Sequence, residues 1–183
     1  MTDRKISDIS IIIPTLHEES SLELQLAGLQ PLHDAEIIVV DGGSASTLRA
    51  TAERYGGTLV GSPPGRGGQL NRGAALATRK ILLFLHCDTS LPTDYADHVH
   101  AVLGTPRTAA GAFRLAIEGR GTGFRMIEWG ANIRSRLLQL PYGDQAFFLT
   151  HENFSLAGGF PDQPVMEDLD LIRRLKPLGR IRL

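Results

Sequence analysis

The 183-residue chain carries 19 Lys and Arg against 20 Asp and Glu, a formal net charge of -1, and 42% of its residues are hydrophobic. That apolar fraction can build a core, so it excludes a wholly disordered protein, and the length suits one domain. The balanced charge argues against a nucleic-acid binder, which usually has a basic excess. The only cysteine, Cys87, can form no internal disulfide, which fits a reducing compartment.

The N-terminal segment, MTDRKISDIS, lacks the apolar core of a signal peptide. The longest apolar runs, such as Ile81–Leu85, are far shorter than the roughly 20 residues that span a bilayer. The sequence therefore predicts a cytoplasmic protein without a transmembrane segment. It leaves peripheral membrane contact open, and it does not predict the oligomeric state.

Strands and helices are predicted to alternate through the first half of the chain. Four short, β-branched or aliphatic runs are typical of strands buried on both faces: Ile9–Pro14, Ala35–Asp41, Thr58–Val60 and Lys80–Asp88. Helices are predicted between them: a segment capped by Ser20 or Ser21 with leucines at helical spacing, then Ala45–Tyr55 and Gly67–Thr78. This alternation predicts a parallel sheet with right-handed crossovers.

After Asp88 the regular alternation ends. Helices are predicted at Asp94–Leu103, Phe124–Leu138 and Glu167–Leu175, and extended segments at Ala109–Ile117 and Gln145–Thr150. The predicted helix Phe124–Leu138 is amphipathic, and its Trp129 is expected to pack in the core rather than to stack on an acceptor. Residues 180–183 are typical of the start of a strand, which leaves open a natural chain that continues further.

Three predicted strands end in polar residues. The first leads into PTLHEE, the second into Asp41-Gly-Gly-Ser44, and the fourth into His86-Cys-Asp88-Thr. In an open parallel sheet, ligands bind beyond the carboxyl ends of the strands. Each acid could instead cap the turn that follows it. Two acids at successive strand ends nevertheless favour a ligand site.

His86-Cys87-Asp88 resembles the Asp-x-Asp metal signature of nucleotide-sugar transferases, with His in place of the first Asp. Alternate residues of an extended segment share a face, so His86 and Asp88 are expected to point together at a diphosphate-bound metal. Mg²⁺ and Mn²⁺ accept carboxylate and phosphate oxygens and act as Lewis acids on a departing diphosphate. The isolated His17 and His151 are not expected to be ligands.

Adjacent acids, Glu167 and Asp168, open the last predicted helix after the turn-forming segment GGFP. Acids in the first turn of a helix complement its dipole and can cap it, which is one interpretation. The other makes one of them a general base that removes a proton from an acceptor hydroxyl. The residues alone leave both interpretations open.

The segment GRGGQLNRG, from Gly65 to Gly73, resembles a phosphate-binding loop but has neither the Walker A nor the dinucleotide-binding spacing. Arg66 and Arg72 could make charge-assisted hydrogen bonds to phosphate. The alternative is a surface loop with solvated arginines.

Five blocks in this order, ISIIIPTLHEE, EIIVVDGGS, GRGGQLNRGA, LLFLHCDTSLP and GGFPDQPVMEDLDLIRRL, resemble the family 2 glycosyltransferases and extend from Ile9 to Leu175. GRGGQLNRGA and LHCDT, with YGDQAFF, are also similar to a bacterial subgroup labelled arsenosugar-biosynthesis glycosyltransferases. The resemblance implies an α/β fold of the GT-A type, a Rossmann-like, mostly parallel sheet flanked by helices. It implies one domain, with a nucleotide-sugar-binding half over about residues 1–90 and an acceptor half over about 91–183.

The same resemblance implies an inverting, single-displacement transfer from a nucleoside-diphosphate sugar, usually UDP-linked, to an acceptor hydroxyl. Six residues are implied to bind the nucleotide: Pro14, Thr15, Glu18, Asp41, Arg66 and Asn71. Asp88 is implied as the metal ligand, and His86 departs from the family pattern beside it. Asp168 is implied as the base with Glu167 next to it, and Gly143-Asp-Gln as neighbours of the donor sugar or acceptor.

Two other functions compete with this interpretation. Sugar-nucleotide nucleotidyltransferases also combine an α/β nucleotide site with a metal, but they usually carry a Gly- and Arg-rich loop with a Lys directly after the first strand, where this chain has PTLHEE. A non-catalytic module that only binds a nucleotide sugar would have no need for a base such as Asp168.

Overall fold

The computed structural model describes residues 6–29, 34–43, 46–119, 121–163 and 165–183. Seven strands lie within these ranges: β1 (Ile9–Thr15), β2 (Glu36–Asp41), β3 (Thr58–Gly61), β4 (Ile81–Phe84), β5 (Thr108–Gly111), β6 (Phe147–Thr150) and β7 (Arg180–Arg182). They form one sheet in the order β3-β2-β1-β4-β6-β5-β7. Only β6 runs antiparallel to its neighbours β4 and β5. The predicted mostly parallel sheet is therefore confirmed.

Helices cover both faces of this sheet. The described α-helices are α1 (Glu19–Leu29), α2 (Ser46–Arg54), α3 (Arg66–Leu76), α4 (Tyr95–Leu103), α5 (Thr122–Ile133), α6 (His151–Leu156) and α7 (Glu167–Leu175). A π-helical segment, Arg134–Leu138, extends α5, and a 3₁₀ turn, Gly143–Gln145, precedes β6. No described helix is long and apolar enough to cross a bilayer.

Most predicted elements are present, with shifted ends. The fourth strand was predicted through Asp88, but β4 ends at Phe84 and the Thr89 amide closes a turn on the His86 carbonyl at 3.1 Å. The extended segment predicted through Ile117 is a strand only over β5, and α6 was not predicted. Ser44 and Ala45, predicted at the second strand end and the second helix start, lie outside the described residues.

Alternation along β1 explains how the sheet is buried on both sides. Ile9, Ile11 and Ile13 pack in one core layer with α1, α2 and α4, while Ile12 packs in the other with α3 and α7. Since successive side chains of a strand point to opposite faces, an uninterrupted apolar run supplies both layers.

Helix α3 packs directly on the first two strands. A methyl group at Gly73 would lie 2.4 Å from Cγ2 of Ile12 and 3.0 Å from Cγ2 of Val40. Contacts this short leave no room for a side chain, so glycine sets the distance between α3 and the sheet.

The prediction that Trp129 lies in the core is wrong, because its side chain is 70% exposed. Helix α5 instead buries Glu128, whose carboxylate accepts a hydrogen bond from the Ile117 amide at 2.6 Å. Polar side chains on the inner side of this helix make hydrogen bonds to neighbouring backbone, so the apolar side of the helix faces outward.

We expect Gly73→Ala to lower the free energy of unfolding by about 1–3 kcal/mol, because the added methyl overpacks the contact with Ile12. Gly68→Ala on the same helix is the matched control, since a methyl there meets nothing within 4 Å. Helix propensity should leave the control unchanged or more stable by up to about 1 kcal/mol. Urea denaturation measures both, and equal stability of the two variants would contradict the close approach.

Candidate functional site

The polar ends of three strands lie side by side at one rim of the sheet. β1 lies between β2 and β4, Thr15 is in register with Asp41, and the Leu85 amide donates to the Ile12 carbonyl at 3.0 Å. The parallel direction of these strands brings their carboxyl ends to a common edge, as the sequence predicted.

Asp41 is the most deeply buried acid at this rim, with 1% of its surface exposed. Its Oδ1 accepts a hydrogen bond from the Gly43 amide at 3.1 Å. Its Oδ2 is buried and has no hydrogen-bond partner within the described ranges. Leaving a buried carboxylate oxygen unpaired is costly, so this atom is suited to accept a hydrogen bond from a ligand.

Gln69 fastens this part of the rim to α3. Its buried side-chain amide donates to the carbonyl oxygens of Thr15 and Val40, both at 2.8 Å. The sequence interpretation missed this residue. Gln69 precedes Gly73 by one helical turn, so it lies on the face that packs against the sheet, where a buried polar residue needs partners.

The β1 end also contacts the segment that follows β4. The Cys87 thiol lies 3.5 Å from the Pro14 carbonyl oxygen. Burial raises the pKa of Cys87 to about 12, and the neighbouring Glu18 carboxylate adds to the rise. This thiol therefore stays protonated at neutral pH and acts as a packing group between the two segments.

Gly143 lies between His86 and Asp168 and joins them in one site. Its amide donates to Asp168 Oδ2 at 2.8 Å. A methyl group built on Gly143 would lie 2.8 Å from both Cε1 and Nε2 of the His86 ring, and 3.7 Å from Asp168 Oδ2. The segment that follows β4 and the start of α7 therefore meet across this glycine, although His86 and Asp168 are 82 positions apart (168 − 86).

Charged groups converge on His86. Burial lowers the pKa of His86, and the Arg66 guanidinium lowers it further, while Asp88, Asp144 and Asp168 oppose the shift. Desolvation raises the pKa of Asp144, Arg134 and His86 oppose that rise, and Asp168 adds to it. The imidazole is accordingly neutral at pH 7, among three carboxyl groups.

The two acids at the start of α7 have different environments. Asp168 faces Gly143, and its second oxygen accepts the Leu169 amide at 2.7 Å. The Glu167 side chain is only 6% exposed and lies 3.7 Å from Arg66 Nη1. Met166 precedes them with φ of 64°, a left-handed conformation that is strained for a non-glycine residue and turns the chain into the helix.

Arg66 and Asn71 belong to α3, which begins one residue before the predicted helix Gly67–Thr78, so both are helical and the resemblance of this segment to a phosphate-binding loop is corrected. Glycines 67 and 68 are poor helix formers, but Gly67 is required here, since a methyl there would lie 2.6 Å from the Pro161 carbonyl oxygen. The Asn71 amide donates to the Phe160 carbonyl at 2.8 Å and accepts from the Phe160 amide at 2.9 Å. Asn71 thus clamps the turn before α7 onto α3.

Neither isolated histidine joins the cluster at His86. His17 is exposed beside Gly43, and His151 Nε2 lies 3.2 Å from the Ala74 carbonyl oxygen. Within the described ranges, no three His, Cys, Asp or Glu side chains are arranged to hold an ion by themselves.

Asp88 and His86 fit a metal that arrives with a phosphorylated ligand. Mg²⁺ or Mn²⁺ bound with a nucleotide usually takes one or two protein carboxylates and completes its shell with phosphate oxygens and water. The Asp88 carboxylate is exposed, and its only hydrogen bond from a described residue comes from the Thr89 hydroxyl at 3.3 Å. A neutral His86 imidazole beside it can also donate a lone pair to a metal.

Comparison with known proteins agrees with this geometry. The family model described as glycosyl transferase family 2 matches residues 10–158. An uncharacterised glycosyltransferase of Mycobacterium tuberculosis is 32% identical over 84 residues, covering 45% of this chain and 38% of the relative. The glucosyl-3-phosphoglycerate synthase of the same species is 30% identical over 96 residues, covering 46% and 30%. The chain thus spans less than half the length of these curated relatives.

Solved structures show the same fold. The mannosyltransferase PcManGT of Pyrobaculum calidifontis, in complex with GDP-Man and Mn²⁺, has a TM-score of 0.74 at 20% identity, covering 96% of this chain and 54% of that protein. The glucosyl-3-phosphoglycerate synthase of M. tuberculosis, in complex with Mn²⁺, UDP and glucosyl-3-phosphoglycerate, has a TM-score of 0.69 at 21% identity, covering 100% and 72%. The sheet and its flanking helices are therefore of the GT-A type.

We expect Asn71→Ala to lower the free energy of unfolding by about 2–3 kcal/mol, because two hydrogen bonds to the Phe160 backbone are lost. Arg72→Ala, at the next and exposed position, is the control and should change stability by less than about 0.5 kcal/mol. Chemical denaturation compares them. An Asn71 variant as stable as the control, but weaker in nucleotide binding, would show that the amide serves a ligand instead of the turn.

Proposed function

The chain belongs to glycosyl transferase family 2, and on that premise we propose that it transfers a sugar from a nucleoside-diphosphate sugar to an acceptor hydroxyl with inversion of configuration. The observation that carries the proposal is that His86 and Asp168 meet across Gly143, with the Asp88 carboxylate close enough to His86 to act on its pKa. A candidate metal-binding acid and a separate candidate base near one another are the two groups that a single displacement requires.

The first half of the chain, to about residue 90, is proposed to bind the donor. Pro14, Thr15 and Glu18 would line the nucleoside pocket. Asp41 Oδ2, which has no partner among the residues that the structure describes, would accept a hydrogen bond from the base or ribose. A UDP-linked donor is the proposed choice. Support comes from the M. tuberculosis synthase solved with UDP, whereas the P. calidifontis enzyme was solved with GDP-Man.

The donor diphosphate is proposed to lie between Asp88 and the N-terminus of α3. There the exposed Arg66 guanidinium and the positive end of the helix dipole both favour phosphate. Asn71 would shape this pocket through its clamp on Phe160. A bound Mg²⁺ or Mn²⁺, held by Asp88 with His86, would supply Lewis-acid stabilisation of the departing diphosphate.

Asp168 is the proposed general base. The base in a single displacement lies on the face of the anomeric carbon opposite the leaving group, which suits an acid on α7 across Gly143 from His86. A carboxylate is too weak a base for an unreacted alcohol, but it accepts the proton as the bond to the sugar forms and the hydroxyl becomes acidic. Glu167, paired with Arg66, would hold the start of α7 in place.

The second half of the chain is proposed to bind the acceptor, with the turn from Gly143 to Gln145 nearest to it. Gln145 is buried and fixed by Ser135 at 2.7 Å and the Phe113 carbonyl at 3.0 Å, so this turn is rigid. The proposal for the acceptor rests on resemblance only. The blocks GRGGQLNRGA and YGDQAFF are similar to the arsenosugar-biosynthesis subgroup, so an acceptor of that pathway is one candidate.

We expect Asp168→Asn to reduce sugar transfer by about 10²–10⁴-fold, because the base is lost, while donor affinity stays near that of the unmodified protein. Asp170→Asn is the control on the same helix, since Asp170 pairs with Arg174 on the surface. Nucleoside-diphosphate release with an acceptor measures turnover. Unchanged turnover of Asp168→Asn would remove this residue from the mechanism, and intact donor binding without any turnover in the unmodified protein would favour a binding module.

We expect a UDP-sugar with Mn²⁺ to raise the melting temperature more than GDP- or dTDP-sugars do, because a ligand that binds only the folded state stabilises it by about 2.7 kcal/mol at a concentration 100 times its Kd. Asp41→Asn should abolish most of the shift, and Asp88→Asn should abolish its dependence on Mn²⁺. Equal shifts for all three donors would contradict the UDP assignment.

A further inference from the structure

Helix α5 and the π-helical segment after it expose most of their large apolar residues, while Glu128, Asn132 and Ser135 face the protein. Glu128 accepts the Ile117 amide, Asn132 exchanges two hydrogen bonds with the Leu115 backbone, and Ser135 donates to Gln145 Oε1. A helix of a soluble domain normally presents the opposite arrangement, with its apolar stripe toward the core. These three polar side chains bond to the rest of the protein, so the large apolar side chains on the other side of the helix are left outside.

The outer side of this helix carries exposed apolar residues. Met126 is 73% exposed, Trp129 70% and Leu137 72%. Met126, Ile127 and Trp129 lie in α5, and Leu137 and Leu138 follow about two turns later, in the π-helical segment. We refer to the exposed residues Phe124, Met126, Ile127, Trp129, Leu137 and Leu138 as the apolar face. Large apolar side chains that are exposed together on one helical segment mark a candidate interaction site.

A basic cavity adjoins the C-terminal end of the apolar face. It has a volume of about 410 Å³ and is lined by Arg107, Gln139, Lys176, Arg180 and the loop between the last two. Lys176 Nζ donates to the Leu138 carbonyl oxygen at 2.9 Å, which joins the cavity directly to the face. From residue 171 to the end of the described chain there are five basic residues and no acid. This positive region is local, because the chain as a whole has a net charge of -1.

Charge decides which partner fits. A second copy of this chain, related by two-fold symmetry, would bring the same surface against itself and place basic residues near basic residues. An anionic lipid surface instead offers negative headgroups to the cavity and an apolar interior to the face. Trp and other large apolar side chains beside Arg and Lys are the composition of helices that lie in the plane of a membrane interface.

We propose that the apolar face docks on the headgroup region of a membrane that contains anionic lipid, with the basic cavity holding lipid phosphates at its edge. Helix α5 then lies parallel to the bilayer without crossing it. The docked helix is also tied to the catalytic cleft, since Arg134 stacks on the Tyr142 ring at 3.6 Å and Ser135 bonds Gln145, on either side of Gly143. Docking therefore sets the orientation of the cleft relative to the membrane.

Trp129 is the only tryptophan in the chain, so its fluorescence reports on this face alone. Vesicles of phosphatidylcholine with an equal part of phosphatidylserine should shift its emission to shorter wavelengths, and pure phosphatidylcholine should do so less. Met126→Ser should weaken vesicle binding about tenfold, because an apolar side chain no longer leaves water. Leu24→Ser on α1 is the matched control, since Leu24 is 76% exposed but lies outside the face, and it should bind as the unmodified chain does.

A second variant tests the cavity separately. Replacing both Lys176 and Arg180 by Gln should weaken binding to the phosphatidylserine vesicles about fivefold for each charge removed, with little effect on pure phosphatidylcholine. Far-ultraviolet circular dichroism and melting temperature establish that each variant is folded. The proposal is overturned if the unmodified chain shows no emission shift with anionic vesicles, or if Leu24→Ser weakens binding as much as Met126→Ser. A dimer in sedimentation velocity that Met126→Ser converts to a monomer, without vesicle binding, would assign the face to a second copy instead.

Discussion

The hydrogen bond from the Gly143 amide to Asp168 Oδ2, at 2.8 Å, is the contact on which the arrangement of the cleft depends. It fixes the carboxylate on α7, and the same glycine leaves space for the His86 ring that no side chain would permit. Two segments that are remote in sequence are thereby held at one place. Under the proposed function, the reacting sugar would lie beside this glycine, between the proposed metal ligand Asp88 and the proposed base Asp168.

The supports of this contact are mostly buried amides. Gln145 anchors the turn that carries Gly143, Asn71 clamps the turn that precedes α7, and Gln69 ties α3 to the ends of β1 and β2. Each of these side chains makes hydrogen bonds to backbone groups of another segment, so each has one favourable conformation. The site is therefore built on rigid elements. This rigidity keeps the His86 imidazole among carboxyl groups, while burial and Arg66 lower its pKa and so keep it neutral.

Sequence patterns predicted the sheet because apolar runs such as Ile9–Pro14 admit few other environments, and the order of motifs predicted which strand ends would carry acids. They did not predict that Asn71 would face the Phe160 backbone, 89 positions away, or that Glu167 would pair with Arg66, 101 positions away (167 − 66), while Asp168 faces Gly143. The prediction for Trp129 was wrong for a related reason: helical periodicity identifies an apolar side of a helix but does not say which side packs against the core. Glu128 and Asn132 make hydrogen bonds to neighbouring backbone, so the polar side of the helix packs inward and the apolar side is exposed.

Under the proposed function, the donor, the metal and the base meet at one site, with the metal at Asp88 and the base across Gly143. A crystal structure of the chain soaked with UDP and Mn²⁺, read by the anomalous signal of manganese, tests this directly. We expect one manganese peak within coordination distance of the Asp88 carboxylate and the UDP diphosphate, with Asp168 facing the same cavity and not coordinating the ion. A peak remote from Asp88, or UDP bound where Asp168 cannot face its diphosphate, would contradict the account.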